Sequence, residues 1–165
     1  MYKGMYVGSF DPVTKGHINI LKRASLLFDE VIVVVSASTS KQYWFSAEER
    51  AGFIEETLAD ENITNIRILT HDGLTVKLAE KLGITVLIRG IRSVKDMEFE
   101  VDVATLNKIQ NQSIETVFLI ADEKYRSISS SMVKEIAYYQ GKIDELVPAA
   151  VEKAMIEHVK KRWPE

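Results

Sequence analysis

The sequence predicts an α/β protein: one domain, residues 1–165, built on a doubly wound five-stranded parallel sheet with helices on both faces. Three observations carry this reading. Short aliphatic runs alternate with segments of helical period, the pattern of βαβ units feeding a parallel sheet. The run at 31–35 is β-branched throughout, as expected of a strand covered on both faces. No repeat, low-complexity stretch or linker interrupts the alternation, and the prolines (Pro12, Pro148, Pro164) are too scattered to mark a boundary.

The elements follow in order. Residues 5–7 form a first strand. Over 16–27, Ile18, Leu21, Ala24 and Leu27 recur three apart with Phe28 beyond, an apolar stripe on a helix. Residues 31–35 supply a central strand. Ser46-Ala47-Glu48-Glu49 is a capping box, a hydroxyl at the cap and a carboxylate three residues on, and starts a helix reaching about Leu58. A third strand spans 65–69. The helix over 74–82 ends at Gly83, which can adopt the left-handed conformation that closes a helix. A strand at 85–88, a helix at 96–108, a strand at 116–120 and a helix at 131–139 ended by Gly141 come next. An amphipathic helix over 149–161 completes the pattern.

Composition narrows the function classes. With 46% hydrophobic and 27% charged residues, the chain resembles an average globular domain, and surface scaling has it bury about 69% of its extended surface, leaving roughly 8,300 Å². There are no cysteines, which excludes disulfides, thiolate zinc sites and iron–sulfur ligation. A net charge of −3 supplies no basic excess to displace counterions from a nucleic acid. The aliphatic run at 31–35 is far short of the roughly 20 residues that cross a bilayer, and residues 1–5 lack the apolar core of a signal peptide. The expectation is a cytoplasmic protein with neither membrane nor nucleic-acid partners.

Doubly wound sheets bind ligands at the carboxyl ends of their strands, where the strand order reverses. The chemistry is therefore expected just after the first and fourth strands. After the first lies Gly8-Ser9-Phe10-Asp11-Pro12-Val13-Thr14-Lys15-Gly16-His17, with two glycines for close backbone approach or positive φ, a loop hydroxyl and a turn-starting Asp-Pro. His17 falls in a first helical turn, where the macrodipole disfavours a cation, so its ring is expected to be a neutral donor in an anion cradle. The alternative is a plain turn with a surface histidine. After the fourth strand, Arg89-Gly90-Ile91-Arg92-Ser93 brings two guanidinium forks to a buried strand end, a match for phosphate oxygens. Their alternative use is an ion-pair network with Asp96, Glu98 and Glu100.

In Ser127-Ile128-Ser129-Ser130-Ser131, one hydroxyl must cap the following helix, and the surplus suits a phosphate. Lys41, in the polar loop at 38–42, can bring a further cation over the same sheet edge. Lys160-Lys161-Arg162 reads as a helix end complementing the dipole, with no function assigned. His71 and His158 lack spaced partners, so any metal is expected to be Mg2+ arriving with a nucleotide rather than held by dedicated ligands. Walker-type, nucleophile-elbow and dinucleotide-binding signatures do not occur.

Gly8-Ser9-Phe10-Asp11-Pro12 with Thr14-Lys15-Gly16-His17, the element Leu87-Ile88-Arg89-Gly90-Ile91-Arg92 and Ile128-Ser129-Ser130-Ser131 together resemble the bacterial phosphopantetheine adenylyltransferases, of the nucleotidyltransferase superfamily with an HxGH or TxGH signature. The resemblance implies a Rossmann-like fold and reversible transfer of adenylate from ATP to 4′-phosphopantetheine. The products are dephospho-coenzyme A and pyrophosphate, in coenzyme A biosynthesis. It implies His17 as transition-state stabiliser with Lys41 and Arg92 beside it, and Ser9, Lys41, Thr75 and Arg89 on the phosphopantetheine side. ATP would be held by Ser9, Phe10, His17, Gly90, Ile91, Arg92, Glu100, Tyr125, Arg126, Ser127, Ile128, Ser129, Ser130 and Ser131. A homohexamer and feedback by coenzyme A are further implications. Ser9 stands where many members have threonine, Thr75 where an apolar residue is usual, Phe99 where tyrosine is frequent, and Tyr43-Trp44 where basic and proline residues are usual. The competing readings are a nicotinate-mononucleotide adenylyltransferase or cytidylyltransferase, which usually carry histidine at the Thr14 position, and a module that binds ATP without turnover.

Overall fold

The computed structural model describes residues 1–163; Pro164 lies outside the described residues. Five strands, β1 (Lys3–Gly8), β2 (Glu30–Ser36), β3 (Ile66–His71), β4 (Val86–Ile91) and β5 (Glu115–Ile120), form one sheet in the order β3-β2-β1-β4-β5. Every neighbouring pair is parallel. The helices are α1 (Lys15–Leu27), α2 (Ala47–Asp60), α3 (Thr75–Lys81), α4 (Val94–Gln110), α5 (Ser130–Tyr138) and α6 (Ala149–Lys160), with a 3-10 turn at Glu123–Tyr125.

The β-branched run in β2 is buried from Val31 to Val35, as its composition requires of an interior strand. One face of the sheet carries Tyr6, Val33, Val35 and Ile88. It packs against Leu21 and Ala24 of α1, Ile54 and Leu58 of α2, and Val151 and Met155 of α6. The other face, with Met5, Ile32, Val34 and Leu87, is thinner and packs on Val76 and Ala79 of α3. On α4 only Glu100 is buried, while Val94, Phe99, Leu106 and Ile109 are more than half exposed.

The strand order reverses between β1 and β4, and the two strands part at that point. β1 pairs with β2 from Lys3 to Gly8, but its ladder with β4 holds only Gly4–Val86 and Met5–Leu87. Beyond Met5 the strands diverge toward their carboxyl ends and leave a cleft.

Three local expectations needed correction. β4 continues past Ile88 to Ile91, so Arg89, Gly90 and Ile91 are strand residues rather than loop residues; pairing with Phe118, Leu119 and Ile120 of β5 extends it. Gly83 closes α3 with φ +66° as expected, but after α5 it is Gln140 that turns left-handed, at φ +61°. Gly141 serves close approach instead: a Cβ there would lie 2.7 Å from Ile136 Cγ2. Ser129 is the serine that caps α5, so the helix starts at Ser130, one residue before the expected start at 131.

Candidate active site

A cavity of about 700 Å³ opens where β1 and β4 part, within the size range of small-molecule sites. It is lined by Tyr6 from β1, Thr14, Gly16, His17 and Ile20 from the first loop and α1, and Arg89 and Gly90 from β4. Arg92, Lys95, Asp96, Phe99 and Glu100 follow from the start of α4, then Ala121, Tyr125 and Ile128 to Ser131 from the segment after β5. The three separated sequence segments therefore converge on one wall-to-wall site.

His17 is oriented by the helix it helps to start. Thr14 caps α1, its hydroxyl accepting from the His17 amide at 3.3 Å, and the Thr14 amide donates to His17 Nδ1 at 3.0 Å. This is a reciprocal capping box with histidine in place of the usual Glu or Gln. A backbone N–H can only donate, so Nδ1 is unprotonated and the ring proton sits on Nε2, which carries no bond among the described residues. Burial, reinforced by the nearby charges of Arg92 and Arg89, lowers the His17 pKa to about 4. The ring is thus a neutral Nε2–H donor at pH 7, as expected, with burial as the first cause and the two arginines behind it.

The first loop packs tightly around this ring. Phe10 adopts φ +50°, a left-handed conformation uncommon for a bulky residue. That turn places its buried ring edge-on to both His17 (5.1 Å) and Tyr6 (5.4 Å). Gly8 suits this packing, since a Cβ there would lie 3.0 Å from the Phe10 ring and push on it. Gly16 has no positive φ and a Cβ there would meet only ordinary protein contacts; it lines the cavity. Burial pushes the Tyr6 phenol up, which keeps it neutral at the cleft.

The arginines take up the ion-pair alternative, with Glu100 and Asp96, and both line the cavity. Arg89 donates from Nε and Nη2 to both oxygens of Glu100, at 2.7 and 2.6 Å, and from Nη1 to the Val7 carbonyl, spanning the gap between β4 and β1. Burial opposes the Arg89 charge, and the Glu100 carboxylate more than offsets it, holding the guanidinium above its ordinary value. Arg92 pairs with Asp96 at 3.4 Å and bonds the Ile128 carbonyl at 3.3 Å. Both pairs still face the cavity. Glu98 lies outside it, along a shallow groove with Val94 and Asp102.

The segment after β5 closes the cavity with its serines. Ser129 caps α5, accepting from the Met132 amide, and Ser130 Oγ donates to the Pro12 carbonyl at 2.8 Å, tying this segment to the first loop. Ser131 faces the cavity without a partner among the described residues. Arg126 bonds the Arg92 carbonyl from outside, and Arg126 and Ser127 are exposed and off the lining. Ile91 is buried in β4.

Ser9, Phe10, Lys41 and Thr75 do not line this cavity. Lys41 is exposed in the loop after β2, and Thr75 opens α3 after β3. Because the sheet is all parallel, both stand over the same carboxyl edge, beyond β1. Two interactions that the sequence concealed fix that neighbouring region. Asp11, read only as a turn starter, is buried and accepts from the amides of Trp44 (2.9 Å) and Phe45 (3.1 Å) and from Lys134 Nζ (2.6 Å). Arg50, also buried, donates to the carbonyls of Ser9, Ser36, Phe45 and Ser46. Together they clamp the first loop to both ends of the Lys41 loop. Lys95 was likewise not anticipated as a cavity residue.

A divalent cation finds no dedicated home. The cavity carboxylates Asp96 and Glu100 are each held by an arginine, and no group of three or more metal-ligating side chains converges among the described residues. This donor set does not fit a resident Mg2+ ion.

Comparison with known proteins agrees with the geometry. The cytidylyltransferase-like family model matches residues 5–136. The phosphopantetheine adenylyltransferase of Limosilactobacillus fermentum is 40% identical over 162 residues, covering 98% of this chain and 92% of its own. That of Thermodesulfovibrio yellowstonii is 44% identical over 159 residues, covering 96% and 98%. A crystal structure from Vibrio parahaemolyticus, provisionally assigned as a nicotinate-nucleotide adenylyltransferase, superposes with a TM-score of 0.70 over 94% of this chain and 99% of its own; at 16% identity it shares the fold. A cytidylyltransferase-like chain with near full-length identity of this order to two such enzymes belongs to the phosphopantetheine adenylyltransferase family of nucleotidyltransferases.

Proposed function

We propose that the chain transfers the adenylyl group of ATP to 4′-phosphopantetheine, releasing pyrophosphate and forming dephospho-coenzyme A. The observation that carries this reading is the single cleft where a neutral, oriented imidazole, two arginines and a serine-rich helix start face one another. Family membership supplies the substrates.

In this reading a phosphate oxygen of phosphopantetheine attacks the α-phosphorus of ATP in line. The bond from that phosphorus to the α,β-bridging oxygen breaks, and pyrophosphate leaves with the electron pair. The nucleophile is already anionic near neutral pH, so no covalent enzyme intermediate is needed. The protein's task is to hold two anions together and to stabilise the charge that grows on the α-phosphate. His17 Nε2–H donates there, Arg92 and Ser129 to Ser131 hold the nucleotide phosphates, and Lys41, Thr75 and Arg89 take the phosphopantetheine side. Ser9 and Phe10 support both through the first loop. Mg2+ enters with ATP as part of the substrate.

The working protein is proposed to be a cytoplasmic homohexamer, a reading supported by the exposed apolar side chains of α4. Coenzyme A, which shares the phosphopantetheine arm, is its proposed feedback inhibitor. Among the described residues no helix is long and apolar enough to cross a membrane.

A substrate panel tests the reaction: pyrophosphate release should require ATP and phosphopantetheine together, and fail with CTP or nicotinate mononucleotide. His17→Ala should lower kcat by about 10² to 10³, the range for losing one preorganised donor, with little change in KM. An unchanged kcat removes His17 from the chemistry.

A further inference from the structure

The charges around the cavity almost cancel. Arg89 is neutralised by Glu100 and Arg92 by Asp96, while His17 is uncharged. The remaining ionised group on the wall at neutral pH is Lys95, which is exposed and has no hydrogen bond or ion pair among the described residues. The net positive charge of the cleft is therefore that of one lysine, although its proposed nucleotide carries several negative charges.

The position of Lys95 in α4 is independently unusual. Ser93 caps the helix, accepting from the Asp96 amide, so Lys95 occupies the second helical position. There the macrodipole and the free amides favour an anion and oppose a cation. Asp96, one residue on, fits that preference, and Lys95 contradicts it with no protein partner to compensate. A mobile ammonium on a flexible stem is suited to a group that arrives and leaves.

We propose that Lys95 is a further catalytic residue of this enzyme, contacting the polyphosphate part of the nucleotide and the departing pyrophosphate. This rests on the adenylyl-transfer reading of the same cleft. Its role is complementary to that of the arginines. Those are held rigidly by their carboxylates and set position, whereas Lys95 alone can follow the leaving group as the α,β bond lengthens and charge moves onto pyrophosphate.

Calorimetric titration with inorganic pyrophosphate tests this without requiring turnover. Lys95→Met should weaken pyrophosphate binding roughly tenfold and Lys95→Glu more, as expected for losing one charge-assisted contact, while Lys95→Arg should remain within about threefold of the native affinity. In thermal unfolding, Lys95→Glu should match or exceed the native Tm, because it relieves the helix-dipole conflict; a merely structural lysine would lower it. Unchanged pyrophosphate affinity in Lys95→Met overturns the proposal. So does a loss confined to phosphopantetheine. Failure of the unsubstituted protein to release pyrophosphate from ATP and phosphopantetheine sinks the functional reading instead, and the titration still decides whether Lys95 binds a polyphosphate.

Discussion

At the scale of single residues, His17 shows how one side chain can complete a helix cap and still line a cleft. Its Nδ1 completes the cap of α1, and this fixes the tautomer that leaves Nε2–H facing the cleft. The same burial that orients the ring lowers its pKa to about 4, against an ordinary 6.5. Between those values the unfolded chain binds more protons than the folded one, so stability rises with pH across that window. The contribution is complete above pH 6.5 and is lost progressively as pH falls toward 4, with no further loss below. His17→Gln can preserve the cap, since a glutamine side chain closes the same box, but it cannot titrate. Urea unfolding at pH 7, 5.5 and 4 should therefore show the native protein losing stability relative to His17→Gln as pH falls; parallel curves would contradict a neutral buried imidazole. The motif around His17 was legible in the sequence because its residue types cluster without interruption. Lys95 was not, since an exposed lysine on a helix reads as solvated until its neighbours are known to be paired.

At the scale of elements, the site depends on loops that the sheet alone does not hold. Asp11 and Arg50 clamp the segment between β2 and α2 from opposite sides of Phe45: Asp11 accepts its amide, and Arg50 donates to its carbonyl. The Lys41 loop is thereby anchored at both ends while Lys41 itself is exposed. Removing the Asp11 carboxylate would leave the Trp44 and Phe45 amides and the Lys134 ammonium without their acceptor. Asp11→Ala should cost about 2 to 4 kcal/mol, the scale for stranding partly buried donors and one half of an ion pair. Hydrogen exchange locates the effect: the Trp44 and Phe45 amides should exchange faster in Asp11→Ala, with amides in β1 and β2 less affected. Unaltered exchange at those two amides would show that the clamp does not act. Much of the element pattern could be read beforehand, because apolar periodicity reports directly on faces. The clamp could not, because an Asp-Pro pair in a loop carries no information on which distant amides it meets. Arg50 did leave a trace, a charged residue on the buried stripe with Ile54 and Leu58, which marks a group that must find buried acceptors.

At the scale of the whole molecule, the two faces of the sheet are unequally covered. The face under α1, α2 and α6 holds the larger core, whereas α4 lies on the other side with Glu100 as its buried residue. The accessible surface of 9767 Å² exceeds the roughly 8,300 Å² expected of a lone chain of 18.7 kDa, and α4 contributes exposed Val94, Met97, Phe99, Val101, Leu106 and Ile109. The proposed hexamer would cover such a surface, with about 800 Å² per partner in a standard interface. This bears on catalysis because α4 also carries Lys95, Asp96 and Glu100, so a helix tied to the sheet edge by its Glu100–Arg89, Asp96–Arg92 and Lys108–Glu115 pairs positions one wall of the cleft. Assembly would hold that wall steady. Light scattering should give six times 18.7 kDa for the native protein. Replacing both Leu106 and Ile109 by lysine should shift the mass toward smaller species, because two charges would face a dry interface. The variant should also raise KM for ATP severalfold, while far-ultraviolet circular dichroism stays native. A native mass of one chain would refute the hexamer, and an unaltered KM in a dissociated variant would separate assembly from the geometry of the site.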